Sequence, residues 1–222
     1  MAEDINTIAK VIKTKDGSST LYIEEMNETY HSTNGALQES LHVFINEGLN
    51  NVASEQVKVL EVGFGTGLNA IMTVVHKGDK EVEYHTLEPF PLGEKLIQEL
   101  DFTSFLDSKW HLDFNTLHEV SWNESHLVGG LKFQKHVTTL QDFQIDQLFD
   151  VIYFDAFAPS KQPDVWELEN LKKCYDLLIS GGFLVTYCAN GQFKRNLKEV
   201  GFELEHPPGP IGKREMTKAI KR

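Results

Sequence analysis

Two cysteines in 222 residues are too few for a disulfide framework. Cys174 and Cys188 fall in a helix-like and a strand-like segment, and each reads as a buried free thiol. Met1 is followed by Ala2-Glu3-Asp4, without a basic n-region or an apolar h-region, so no signal peptide is expected. No apolar run approaches the roughly 20 residues that a membrane-spanning helix needs. These absences describe a soluble protein of a reducing, cytoplasmic compartment. Net positive charge is also missing. The formal charge of −12 argues against a generic nucleic-acid binder with a basic surface. Residues 1–190 carry 13 Lys/Arg against 29 Asp/Glu, whereas residues 191–222 carry 8 against 4. A basic C-terminal end on an acidic body leaves room for a local phosphate contact, and equally for none. The nine histidines form no zinc-like spacing with cysteine or carboxylate, and no G-x-S-x-G nucleophile elbow occurs. There is no repeat, low-complexity tract or linker.

What is present is an alternation of strand and helix patterns. Ile8–Ile12 and Thr20–Ile23 flank Lys15-Asp16-Gly17-Ser18, where Asp-Gly predicts a hairpin turn. Leu37, Leu41, Phe44 and Ile45 recur at helical spacing, which predicts one amphipathic helix over 34–49. Strands follow at 57–62, 82–87, 131–137, 150–154 and 183–188, with helices at 68–76, 91–100, 166–179 and 191–200. Residues 102–128 read as short broken helices, and Gly181-Gly182 as the stop of the fourth helix. Residues 202–204 and 216–220 suit a final antiparallel pair. The expected fold is α/β, with a mostly parallel doubly wound sheet, an antiparallel C-terminal strand and a small N-terminal β-hairpin extension. Residues 1–50 form the extension and 51–222 the main domain in this reading.

Two loops concentrate the chemistry. The first strand ends in Glu61-Val62-Gly63-Phe64-Gly65-Thr66-Gly67, and the fourth in Tyr153-Phe154-Asp155-Ala156-Phe157-Ala158-Pro159. In an open α/β sheet such loops face each other across the crevice where the winding reverses. Glycine at 63, 65 and 67 lets backbone approach a ligand closely, and the following helix offers free amides. The spacing is neither the G-x-G-x-x-G dinucleotide fingerprint nor a P-loop. Glu88, 21 residues after Gly67, is placed to accept from a ribose diol. Asp142 could accept from an adenine amino group. Asp155 projects from a loop stiffened by Pro159 and Pro163, and Phe157 and Trp166 offer flat surfaces for a base. Each of these residues also has a bland role, as a helix-start charge, a loop acid, a cap or core.

Residues 59–69, Val-Leu-Glu-Val-Gly-Phe-Gly-Thr-Gly-Leu-Asn, and 155–166, Asp-Ala-Phe-Ala-Pro-Ser-Lys-Gln-Pro-Asp-Val-Trp, resemble the methyltransferase domain of the MnmC/MnmD family. Tyr30-His31-Ser32-Thr33-Asn34-Gly35-Ala36 with Glu39-Ser40 resembles its N-terminal signature, and Lys213-Arg214-Glu215-Met216 its C-terminal one. The family usually has Gly where this chain has Ala156, and Asn where it has Gln162. The resemblance implies a Rossmann-like class I fold that uses S-adenosyl-L-methionine to methylate the aminomethyl group on the wobble uridine of tRNA. It implies cofactor contacts from Glu61, Gly63, Phe64, Gly65, Thr66, Gly67, Asn69, Glu88 and Asp142, with Asp155 catalytic. Substrate contacts would come from Phe157, Lys161, Trp166, Lys213 and Arg214, the last two on tRNA phosphate, with the anticodon region as partner.

No metal, flavin or membrane is expected to take part. Some relatives continue into a flavin-dependent oxidase, which these 222 residues lack, so only the aminomethyl form of the substrate should react. An aminopropyltransferase or small-molecule amine methyltransferase on the same fold, and a non-catalytic RNA-binding module, are the alternatives.

Overall fold

A computed structural model describes residues 5–222. After a single helical turn, α1 (Ile5–Ile8), the predicted hairpin forms from β1 (Ala9–Lys13) and β2 (Ser19–Ile23), paired antiparallel with Ala9 opposite Ile23. A third strand, β3 (Glu28–Thr29), adds to β2 through a turn at Asn27, φ 45°. Two residues are too short to show alternation in sequence, and asparagine tolerates the left-handed conformation. The helix predicted over 34–49 begins as α2 (Ala36–Ser40) and widens into a π-helix at Leu41–Asn46. Val43, Phe44 and Ile45 are all buried. A regular helix would spread those three consecutive side chains over roughly 200°.

The main sheet contains β4 (Gln56–Val62), β5 (Glu81–Leu87), β6 (Ser125–Val128), β7 (Leu131–His136), β8 (Phe149–Phe154), β9 (Leu178–Thr186), β10 (Glu203–Glu205) and β11 (Thr217–Ile220). Its order is β10-β11-β9-β8-β4-β5-β7-β6. The five central strands are parallel, while β6, β11 and β10 run antiparallel to their neighbours. The expected antiparallel C-terminal pair is therefore present. Helices α3 (Leu68–His76), α4 (Glu94–Leu100), α5 (His111–Glu119), α6 (Leu168–Leu177) and α7 (Gly191–Val200) complete the fold.

Alternation along the strands builds two cores. Val59, Tyr84, Phe133 and Tyr153 pack on one face with Leu21, Ala36 and Phe44 of the N-terminal segment. Leu60, Val62, Ile152 and Phe154 pack on the other with Leu171 and Cys174 of α6 and Phe193 and Leu197 of α7. Both cysteines are free and buried, and burial pushes the Cys174 thiol up to about 12. Among the described residues no helix is long and apolar enough to cross a membrane.

Two expectations need correction. Residues 125–128 are a strand, joined to β7 by Gly129 and Gly130 at φ 56° and 77°. That glycine pair is a tight hairpin turn between apolar residues, a signal hidden by the aromatic-rich stretch before it. Gly181-Gly182 does not stop a helix: α6 already ends at Leu177, and the pair lies inside β9. There Gly181, φ 83°, donates its amide to Lys221, while Gly182 accepts from it, where the pairing with β8 slips.

Candidate active site

The winding reverses at β4, which has β5 on one side and β8 on the other, so the loops after β4 and β8 meet. Gly63, Gly65 and Gly67 have φ of 97°, 49° and 72°. A Cβ on Gly63 would lie 2.6 Å from the carbonyl oxygen of Asp155, so the two loops touch through a glycine. Gly67 caps α3 and turns that helix's free amides toward the crevice. The side chains of Phe64 and Thr66 point elsewhere. Phe64 packs among His118, Trp122 and Phe133, and the Thr66 hydroxyl bonds His31 Nε2 at 2.9 Å. Only their backbone remains for a ligand.

Three carboxyl groups line the strand ends. Glu88 follows β5 and accepts from the amides of Gly65 (2.9 Å) and Phe90 (3.0 Å), which ties it to the glycine loop and leaves lone pairs for hydroxyl donors. Burial raises its pKa. Glu61 is fully buried, and burial pushes it up to about 8. Its Oε1 accepts from Asn69, while its buried Oε2 faces the hydroxyls of Thr86 and Tyr84 without a hydrogen bond of good geometry among the described residues. Asn69 Nδ2 also donates to Asp155 Oδ2 at 2.8 Å, and Asn69 Oδ1 accepts from Ser40 Oγ at 2.7 Å. One amide thus holds Glu61 and Asp155 side by side and is itself held from α2. Burial pushes Asp155 up to about 7, and the nearby Glu39 adds to this, against the Asn69 bond and the Lys213 charge. An acid anchored on the glycine loop and a glycine cradle fit a nucleoside cofactor with a charged tail.

The Asp155 loop is braced from within. The amides of Lys161 and Gln162 share the Ala158 carbonyl, and Trp166 Nε1 donates to Phe157 O at 2.8 Å. Trp166 is 4% exposed and packs on Phe154 and Phe193, so it is a post for the loop and not a surface for a base. Trp166→Phe, which deletes the donor and leaves a small cavity beside a smaller ring, should cost at least about 1–3 kcal/mol in urea unfolding. Phe157 remains half-buried and meets Tyr30 edge to face at 5.0 Å. Tyr30 in turn lies against Gly65, spanning the crevice. Lys161 is partly exposed.

Two further residues of the expected site have partners within the chain. Asp142 is exposed and accepts from the Thr139 hydroxyl in its own turn; among the described residues no hydrogen bond or ion pair joins it to the glycine loop. Lys213 is exposed, as the sequence suggested, but its ammonium is already engaged within the chain. Its ammonium bonds Glu39 Oε1 at 2.8 Å and sits 3.8 Å over the Tyr187 ring; Arg214 beside it is exposed as well. Among the described residues no group of three or more His, Cys, Asp or Glu could hold a metal ion. The roles of Tyr30, Glu39, Ser40 and Tyr187 escaped sequence reasoning. The first three lie in the Tyr30–Ser40 signature, but Tyr187 carries no sequence signal.

A family model described as S-adenosyl-L-methionine-dependent methyltransferase matches residues 98–222, more than half of the chain. The chain is 30% identical to a Cupriavidus necator protein named tRNA 5-methylaminomethyl-2-thiouridine biosynthesis bifunctional protein MnmC, over 90% of this chain and 33% of that protein. It thus spans about a third of the length of the curated relatives it matches. The crystal structure of MNMC2 from Aquifex aeolicus superposes with a TM-score of 0.74 at 26% identity, covering 96% of this chain and 70% of that one. Spermidine synthase from Thermotoga maritima shares the fold, with a TM-score of 0.57 at 15% identity over 96% of this chain and 69% of that one.

Proposed function

The chain belongs to the S-adenosyl-L-methionine-dependent methyltransferases, and on that premise we propose that it methylates the aminomethyl nitrogen on the wobble uridine of tRNA, giving the methylaminomethyl nucleoside. The observation that carries this reading is Asp155, a carboxylate held by Asn69 directly across from the glycine loop. The names of the similar proteins, and the 26% identity to the Aquifex structure, support tRNA as the substrate.

When bound, S-adenosyl-L-methionine supplies a methyl group already activated on a sulfonium. The backbone of Gly63–Gly67 and the carboxylate of Glu88 would hold it. The protein's task is then alignment and proton removal. An aliphatic amine is mostly protonated at neutral pH and is a nucleophile only when neutral. Asp155 attracts that ammonium and accepts its proton at the carboxylate oxygen that Asn69 leaves free. With its pKa pushed up to about 7, it is matched to a general base at neutral pH. The rate should therefore rise as pH increases through about 7. Glu39 beside it disfavours a substrate that carries a carboxylate of its own.

Nucleoside mass spectrometry of aminomethyl-tRNA incubated with the protein and S-adenosyl-L-methionine tests the proposal; absence of the methylated nucleoside would refute it. Carboxymethylaminomethyl-tRNA should remain unchanged, with or without added flavin. Glu88→Ala should weaken cofactor binding by about 1.5–3 kcal/mol, the worth of charge-assisted hydrogen bonds. Titration calorimetry checks this, and unchanged affinity would pass the role to another acid. Arg214→Ala should lower the salt slope of tRNA binding by about one.

A further inference from the structure

We propose that Lys213 is a positioning residue for Asp155: clamped between Glu39 and the ring of Tyr187, it sets the charge that Asp155 carries instead of meeting tRNA phosphate. The inference rests on the reading of Asp155 as the proton acceptor.

The loop bearing Lys213 is fastened to the N-terminal segment. His42 Nε2 bonds the Pro208 carbonyl at 2.8 Å, Asn34 Nδ2 donates to Ile211 O at 3.3 Å, and the Lys213 amide donates to Pro210 O at 2.8 Å. At the end of this loop the ammonium meets Glu39, whose other carboxylate oxygen accepts from the Ser32 amide at 2.7 Å. Glu39 is buried, so its charge needs a partner, and Lys213 is the ammonium that reaches it. The link to Asp155 is short. Tyr187, under the Lys213 ammonium, donates its hydroxyl to the Ala156 carbonyl at 2.8 Å, one residue after Asp155. A lysine held this way on two sides has little freedom to follow a phosphate.

The charged and titratable groups around Asp155 are Glu61 on β4, Tyr84 on β5, Glu39 on α2, Tyr187 after β9 and Lys213 on the C-terminal loop. The neutral Asn69 supplies the hydrogen bond from α3. Among the described residues, Lys213 is the one cation in this set. Glu39 favours the protonated acid and Lys213 the carboxylate. Loss of Lys213 should therefore raise the pH at which Asp155 ionises. Loss of the Glu39 charge should lower it, by removing a repelling carboxylate and freeing Lys213.

The test uses Lys213→Met, Lys213→Arg, Glu39→Gln and Asp155→Asn in the full chain. The pH dependence of single-turnover methylation is measured, and the Asp155 carboxyl is titrated by 13C NMR in the cofactor-free protein. Lys213→Met should move both the acidic limb and the carboxyl titration up by about one pH unit, the lower end of a neighbouring charge's effect. Glu39→Gln should move both down, and Lys213→Arg should restore the wild-type position. Salt slopes of tRNA binding should be the same for Lys213→Met and wild type. An unmoved titration, or a salt slope reduced by about one in Lys213→Met, would overturn the proposal. If Lys213→Met fails to fold, the opposite shift in Glu39→Gln and the wild-type position of Lys213→Arg decide it. A wild-type rate in Asp155→Asn would instead refute the reading of Asp155 itself, and this inference with it.

Discussion

Asp155→Asn should slow methyl transfer by roughly 10²–10⁴, the usual worth of a positioned base, without loss of stability. The substitution keeps the acceptor that Asn69 needs, because the asparagine carbonyl can take the 2.8 Å bond that Asp155 Oδ2 receives. It removes the proton acceptor and the charge that attracts an ammonium. Burial holds the folded-state pKa of Asp155 at about 7, above the roughly 3.9 of an unfolded chain. The native protein thus keeps a proton that the unfolded chain has released, and Asp155 costs stability progressively as pH rises through that window. Asparagine has no such titration. The variant should therefore match or exceed wild type in urea unfolding at pH 8, with its advantage shrinking toward pH 4. Single-turnover rates close to wild type would remove Asp155 from the mechanism. A large loss of stability at pH 8 would mean that the carboxylate holds the loop as well.

Gly63→Ala should damage the site through the backbone. At φ 97° an alanine is strained by of order 1–3 kcal/mol. Its Cβ would also lie 2.6 Å from the Asp155 carbonyl oxygen, a main-chain atom that cannot rotate aside. The loops after β4 and β8 must then separate, taking the glycine cradle away from Asp155. Gly181→Ala is the control, with a similar φ of 83° and nothing within 4 Å of its added carbon. Both variants should lose stability by the strain alone. Only Gly63→Ala should also lose S-adenosyl-L-methionine affinity, by tenfold or more, since 1.4 kcal/mol is a factor of ten. Equal calorimetric affinities for the two variants would show that the close approach of the loops does not matter for the cofactor.

Much of this architecture was legible in the chain itself. β4, β5 and β8 lie close to their expected bounds because each is a short, largely buried run ended by glycine or an acid, whereas β9 starts earlier than expected, at Leu178. The glycine loop and the Asp155 loop fell where the strand order predicted, since both follow central parallel strands at the point of reversal. Local turn chemistry was harder to read. Gly129-Gly130 made a hairpin and Gly181-Gly182 did not, although each is the same dipeptide. The difference lies in what stands beside each pair: β6 folds back on β7 at the first, and Lys221 takes up the backbone groups of the second.

Residue type and spacing by themselves determined the fold class, the crevice and the placement of Glu88 and Asp155 at its strand ends, because periodicity and turn residues act over a few neighbours in the chain. Orientation was decided only by tertiary structure. Trp166 turns inward, since Phe154 and Phe193 leave a cavity for its ring and Phe157 offers a carbonyl to its indole nitrogen. Lys213, 174 residues after Glu39, becomes that residue's counter-ion because burying Glu39 demands a positive charge at that point. Asn69 binds Glu61 and Asp155 together only once β4, α3 and β8 have packed. No sequence pattern encodes those contacts, since each depends on which side chains the finished core leaves unsatisfied.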